Sequence, residues 1–399
     1  MIGGALDGRG ADATESVIMR VILFWTSLLL PGAVVSPLWG QDPAAVPIGL
    51  EEFIGGTGET AAQLVREDLD RSGVLRSRPG LVAAGSGWVL RGSSSAGRID
   101  GALLDRKGAV VFNNHYAEPD LRDNAHAFAD DVVTAITQGR GIAASKIAFV
   151  SRRAGSTEIY LADSDGQRIR QVTADGALKG SPALAPGSIL LAYTSWQSGY
   201  ADVILKDLRF GTERPLLSAP GTNSGATFSF DGTRLALSMS HEGDAEIYVS
   251  GLTGQRVRRV TESRSVEFSP AWAPDGNRLV FCSDANGPPQ LFVVSRRGGE
   301  PERLETGYRH NTSPDWSPDG GHIAFTGRQN SGPAVVVYDL SAGRSRVVLS
   351  RAEDPAWAPD GRHLVAVQEG TLVVVDTVTG VRRTMVSGFS GLAEPAWSR

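Results

Sequence analysis

The side chains that most often carry covalent or metal chemistry are sparse in this chain and poorly spaced for it. Six histidines stand at 115, 126, 241, 310, 322 and 363, none in an HExxH run or an i, i+4 pair that would present a metal site on one helix face. No serine occupies a Gly-x-Ser-x-Gly turn, so a nucleophile elbow is absent from the sequence. Cys282 is the single cysteine, which excludes an internal disulfide and a Cys-cluster metal site. Gly56-Thr57-Gly58-Glu59-Thr60-Ala61 has the spacing of a dinucleotide fingerprint. Such a site needs a parallel βαβ unit with an acidic residue ending its second strand, and neither is legible, so the stretch reads as the opening of a helix. Asp163-Ser164-Asp165-Gly166 lacks the loop length and distant Glu of an EF-hand. Asn311-Thr312-Ser313 is a formal glycosylation sequon. The expectation is a protein that is not an enzyme and holds no cofactor or metal. What remains is a set of residues placed just before a recurring proline: Asn223-Ser224, Glu267-Phe268, His310-Asn311-Thr312, Glu353-Asp354 and Ala393-Glu394. Carboxylates, amides, a histidine and a phenylalanine are the chemistry of recognition by hydrogen bonds around an apolar centre.

A repeat positions them. SPAWAPDGNRLVF from Ser269, SPDWSPDGGHIAF from Ser313 and DPAWAPDGRHLVA from Asp354 align, with weaker copies GATFSFDGTRLAL from Gly225 and SPALAPGSILLA from Ser181. Pro186, Phe230, Pro274, Pro318 and Pro359 therefore recur at intervals of 44, 44, 44 and 41 residues. That period means a propeller or a solenoid. Each unit has four strand signals, as in Pro270–Trp272, Arg278–Cys282, Gln290–Val294 and Glu302–Leu304, and four antiparallel strands per repeat make a propeller blade. Pro-Asp-Gly is turn chemistry, with the Asp a turn-former rather than a metal ligand. First strands fall at 182, 226, 270, 314, 355 and 395, and second strands at about 147, 189, 234, 278, 322 and 363. The series are offset by one, so Lys146–Ser151 must pair with Glu394–Trp397 to close a six-bladed ring. Trp272, Trp316, Trp357 and Trp397 share one strand position and are read as inter-blade packing; His322 and His363, at equivalent second-strand starts, are read as surface residues. First strands line a propeller's channel, so Asn223, Glu267, Phe268, His310, Asn311, Thr312, Glu353 and Glu394 are predicted to ring one mouth and bind a partner.

Residues 44–143 carry different signals. Helical spacing runs from Glu59 to Ser72 and from Asp120 to Thr137, with strand-like runs at Gly87–Leu90, Ile99–Leu104 and Ala109–Tyr116 between them. A small α/β domain with an antiparallel sheet is expected, followed by the propeller over residues 145–399. Before both, Met19-Arg20 and the apolar run Val21–Leu30 form a short positive region and an apolar core too short to span comfortably, so residues 1–40 read as a secretory leader with translation starting at Met19 and cleavage near Gly40. No span remains in the mature chain. With 48 Gly, 21 Pro and a net charge of −5, the composition suits a turn-rich soluble fold and offers no basic run for nucleic acid.

A leader, an α/β domain of this size and a six-bladed ring of SPxWSPDG repeats together resemble the TolB family of the Tol-Pal envelope system. The specific stretches are the repeats, Asn124-Ala125-His126, Ala129-Asp130-Asp131-Val132-Val133, and ITQGRGIAASKIAFV from Ile136. One departure lies at Arg76–Gly97, where the family usually carries more residues and better strands. The resemblance implies a monomeric periplasmic adaptor that supports outer-membrane integrity and cell division. It implies Pal, the peptidoglycan-associated lipoprotein, docking at the channel mouth and a TolA-like inner-membrane protein engaging the segment from Gln41. A propeller enzyme of the peptidase or lyase kind and a free-standing ligand-binding propeller in the periplasm remain the alternatives.

Overall fold

The structure, a computed structural model, describes residues 45–78, 87–153, 155–329 and 332–399. The expected leader over residues 1–40 and the segment at Gln41 lie outside the described residues. Among the described residues no helix is long and apolar enough to cross a membrane.

The first part is built from β1 (Val46–Leu50), α1 (Gly58–Arg71), β2 (Leu75–Arg78), β3 (Trp88–Ser95), β4 (Arg98–Leu104), β5 (Val110–Tyr116) and α2 (Leu121–Thr137). Both helices follow their apolar stripes: Ala61, Val65 and Leu69 of α1 and Ala125, Phe128, Val132 and Val133 of α2 pack into one core with Ile48, Leu90 and Leu103 of the sheet. Asp120 caps α2 by accepting the Arg122 N–H at 2.7 Å, and the helix ends on a left-handed Gln138. Strand order is β2-β1-β3-β4-β5, with β1 parallel to both β2 and β3. The sheet is therefore mixed, not antiparallel, and β1-α1-β2 is the parallel βαβ unit that the sequence did not reveal. Its two parallel strands are only five and four residues long, too short for a periodicity signal. The glycines at its turn still do not form a phosphate cradle. A Cβ on Gly55 would sit 2.3 Å from the Ser94 carbonyl oxygen and one on Gly58 would sit 2.1 Å from that of Phe53. At Gly58, the second glycine of the fingerprint, the chain's own backbone fills the space, whereas Gly56 faces open space. Strands β2 and β3 occupy much of the Arg76–Gly97 departure, and residues 79–86 between them lie outside the described set.

Six four-stranded antiparallel sheets follow and form the predicted six-bladed β-propeller. The first strands are Lys179–Leu184 (blade II), Asn223–Phe228 (III), Glu267–Trp272 (IV), Asn311–Trp316 (V), Ala352–Trp357 (VI) and Ser390–Trp397, which pairs with Lys146–Arg153 to complete blade I. Ring closure thus joins two segments some 240 residues apart in sequence, with Lys146 N–H also donating to Ser398 Oγ at 2.9 Å. Second strands such as Arg278–Ser283 are buried from Leu279 to Ser283 because both faces of a blade are covered by its neighbours. Such strands read as continuous apolar runs.

The tryptophans lie where the repeat placed them. Trp316 is fully buried among Ala271, Val280 and Cys282 of blade IV, and Trp357 lies among Ala324, Val335 and Val337 of blade V. The Asp of each Pro-Asp-Gly turn accepts backbone N–H groups, as Asp319 does from Gly321 at 2.8 Å and Asp360 from Arg362 at 2.9 Å. His322 and His363, expected on the surface, are only 8% and 5% exposed. His363 Nδ1 lies 2.6 Å from Asp360 and His322 Nδ1 lies 3.5 Å from Asp319, so each imidazole folds under its turn. The correction follows from blade stacking, which covers second-strand starts that an isolated hairpin would expose.

Candidate functional site: the propeller channel and its open end

The serine or acid before each recurring proline has a specific backbone role. Ser181, Ser269, Ser313, Asp354 and Glu394 have φ between 48° and 53°, and Gly225 has φ 64° at the same place in blade III. At each, pairing with the second strand slips by a bulge. Proline can follow because it sits where the ladder offers no partner for an N–H. The six left-handed residues form a ring in the channel wall, above a cavity of about 200 Å³ that also meets Pro182, Pro270, Asp315 and Arg399.

Hydrogen bonds run from blade to blade around this ring. Ser313 Oγ donates to Asp354 Oδ1 at 2.8 Å, the Glu394 N–H donates to Asp354 Oδ2 at 3.2 Å, and the Ser181 N–H donates to the Glu394 carboxylate. Thr194 and Thr326 accept the ring N–H groups of Gly225 and Asp354 at 3.2 and 2.9 Å. Cys282 occupies the equivalent second-strand position and faces the Ser313 N–H; burial pushes its thiol well above the ordinary value. Burial, with the like charge of Asp354, also raises the Glu394 carboxyl.

The predicted mouth residues divide by burial. Asn223, Glu267 and Asn311 begin their strands with 0, 3 and 0% exposure. Asn223 Nδ2 donates to the carbonyls of Ala219 at 2.7 Å and Ala201 at 3.2 Å, while Asn311 Nδ2 donates to Gln290 Oε1 at 3.1 Å. Glu267 is set against Glu246, itself buried; burial first, and then the Glu246 charge, raise Glu267 to about 7 against the pull of Thr261. These three are blade-junction groups, and nothing in the sequence separates them from surface recognition residues, which are equally polar. Phe268, His310 and Thr312 are half-buried, Glu353 is exposed, and Glu394 keeps solvent access as a residue while its carboxylate is tied to the Ser181 N–H within the channel. Two residues that the sequence reading passed over stand out at this end. Trp196 and Tyr200, 40% and 69% exposed, lie in the blade II hairpin beside the half-exposed Leu178. The signal for them was local: aromatics inside the polar turn Trp196-Gln197-Ser198-Gly199-Tyr200.

The opposite end is occupied. Arg71 of α1 lies 3.7 Å from Asp165, and Arg122 of α2 pairs with Asp165 and lies 3.8 Å from Asp163, both on the hairpin once weighed as a calcium loop. Lys146 adds 2.7 Å to Asp163 and 3.7 Å to Asp123. Behind Arg71, Asp68 takes its guanidinium at 2.8 Å and holds His126 Nδ1 at 2.6 Å. Asp130 accepts the N–H groups of Ala143 and Ala144 at 2.8 and 2.9 Å, clamping the link into the propeller; burial raises it to about 6. Within the channel at this end, Arg399 pairs with Asp315 of blade V and stacks 4.0 Å over the Phe230 ring of blade III, bridging the bore.

A family model described as the TolB beta propeller domain, PD40, matches residues 133–399. The chain belongs to the TolB propeller family. It is 34% identical to a protein TolB homolog of Chlorobium chlorochromatii over 183 residues, 45% of this chain and 41% of that one. It is 29% identical to the Tol-Pal system protein TolB of Bordetella avium over 292 residues, 64% of this chain and 65% of that one. The matched stretch thus spans about two fifths of the Chlorobium relative and just under two thirds of the Bordetella one. A crystal structure of TolB from Acinetobacter baumannii superposes with a TM-score of 0.75 at 25% identity, covering 90% of this chain and 97% of that one. The TolB likeness therefore extends through the α/β domain as well as the ring. Among the described residues no group of three or more His, Cys, Asp or Glu could hold a metal ion.

Proposed function

We propose that this TolB-family protein is a non-enzymatic periplasmic adaptor of a Tol-Pal system, docking a Pal-like peptidoglycan-associated lipoprotein at the open end of its channel and thereby supporting outer-membrane integrity and cell division. One observation carries the reading: the α/β domain and the Arg399–Asp315 bridge fill one end of the propeller, while the other presents Trp196, Tyr200 and Glu353 to solvent, with the Glu394 carboxylate held by the Ser181 N–H in the channel below. Exposed aromatics beside carboxylates are suited to anchor a protein loop. The segment from Gln41 is proposed to engage a TolA-like protein, which removal of residues 41–45 would abolish in a pull-down.

The docking test is a pull-down of the soluble domain of the Pal-like protein from the same genome. Tyr200→Ala and Glu353→Arg are expected to cut retention sharply without changing the melting temperature. No retention by the wild type, or retention untouched by both changes, removes the reading. Glu267→Arg and Asn311→Arg are poor probes, because each would break a buried blade junction and confuse misfolding with lost recognition.

A further inference from the structure

A second surface, away from the channel, has a different chemistry. A groove of about 690 Å³ runs along the seam between blades IV and V, lined by Glu305–Arg309, Arg328 and Gly343–Ser345. It exists because the outer strands differ: in blade IV that strand is Glu302–Arg303, two residues long, whereas in blade V it is Arg344–Ser350, seven residues long. Ser345 Oγ donates to the Thr306 carbonyl at 2.8 Å to tie the floor, and the Tyr308 ring stands edge-on to Phe325 at 5.8 Å. Arg309, Arg328 and Arg344 are exposed and make no ion pair among the described residues. The one carboxylate in the lining, Glu305, lies 3.7 Å from Arg303 outside it. Three free guanidiniums in one groove stand out in a chain whose net charge is −5.

Their spacing selects the ligand. In blade V, Arg328 pairs across the ladder with Pro333 and Arg344 with Asp339. Six residues along the shared strand separate those registers, about 20 Å at the rise of an extended chain. Arg309 sits at the Arg328 end, since the Arg328 N–H donates to the His310 carbonyl at 3.0 Å. A single small anion at one end leaves the other guanidinium unmet, whereas an extended segment with acidic residues five or six positions apart meets both. We propose that this groove binds an extended acidic peptide segment of a partner protein, with Arg309 and Arg328 receiving one carboxylate cluster and Arg344 the other. Planar guanidiniums suit carboxylates in bidentate fashion, and the exposed setting makes the attraction salt-sensitive.

The test uses the whole protein and a fluorescein-labelled decapeptide of alternating Glu and Ser, read by anisotropy, with the Gln-Ser analogue and inorganic phosphate as controls. Saturable binding of the acidic peptide is expected, weaker by about tenfold or more for the Gln analogue and for the double variant R309E/R344E. R309K/R344K should retain most of it, raised salt should weaken it, and unchanged melting curves should show that the variants fold. Glu353→Arg, at the channel mouth, should leave it alone, so failure here and failure of Pal docking are separate results. The proposal is overturned if the acidic peptide shows no saturable binding at millimolar concentration. It is equally overturned if the Gln analogue binds as well, if R309E/R344E changes nothing, if Glu353→Arg abolishes binding, or if phosphate at matched ionic strength displaces the peptide completely, which would mark a small-anion site.

Discussion

The two ends of the propeller are made from the same repeat and carry opposite chemistry. At the end where first strands finish, several buried carboxylates are held by cations. Asp163 and Asp165 meet Lys146, Arg71 and Arg122, Asp360 meets His363, Asp376 meets Arg362 at 2.6 Å, and Asp315 meets Arg399. At the end where they begin, Trp196, Tyr200 and Glu353 lie open. Burying an ion pair confers geometry more than stability, but removing one partner is expensive because the other charge stays buried. The occupied end is therefore an intolerant scaffold, and the open end is free to be specified by a partner.

Breaking the scaffold should give the largest effects. Deleting Glu394–Arg399 removes half of the strand that pairs with Lys146–Arg153, and no cooperative melting transition should survive; a deletion that melts like the full chain would contradict ring closure through blade I. Next comes Trp316→Ala, which empties a fully buried site between blades IV and V and should cost about 3–5 kcal/mol in denaturant unfolding. Asp165→Ala removes the close partner of Arg122 at the domain junction, while Arg71 keeps Asp68, and should cost about 1–3 kcal/mol. It should also raise hydrogen exchange in α1 and α2 before the blades.

No larger, and pH-dependent, is the effect of Glu267. Its carboxyl is raised by burial and by Glu246 from 4.5 to about 7, so the folded state binds the proton more tightly than the unfolded chain does. Its favourable contribution is complete below pH 4.5 and is lost as pH rises to about 7, a slope worth on the order of 1–3 kcal/mol in all. Glu267→Gln should flatten stability across that window; an unchanged slope would place the proton elsewhere. Tyr200→Ala and Glu353→Arg should be smallest, within about 0.5 kcal/mol of wild-type stability, because neither residue is buried. A large destabilisation by either would erase the contrast between the ends.

The junction groups show why part of the site was illegible. In blades II to IV the start of the third strand meets the next first strand through backbone bonds: the N–H groups of Asn223, Glu267 and Asn311 donate to the carbonyls of Ala201, Ala245 and Pro289 at 3.0, 2.7 and 2.8 Å. A polar residue before a proline looks the same in sequence whether it faces water or a neighbouring blade. Only the stacking of blades tells Asn311, with no exposure, from Glu353, which is open. Likewise His322 and His363 looked superficial until their neighbours covered them. The parallel β1-α1-β2 unit was missed because four- and five-residue strands carry no period, although its helix was legible from its apolar stripe.

Blade number, closing strand, turn chemistry and tryptophan packing were all determined by the sequence alone, because a 44-residue period repeats one local solution and each copy confirms the others. The tertiary structure decided what no repeat encodes. It set the α/β domain and Arg399 at one end of the channel, buried three of the eight predicted mouth residues, and left a seam beside blade V where three arginines face solvent. These outcomes depend on contacts between segments far apart in the chain, where burial rather than residue type decides whether a polar group supports the fold or meets a partner.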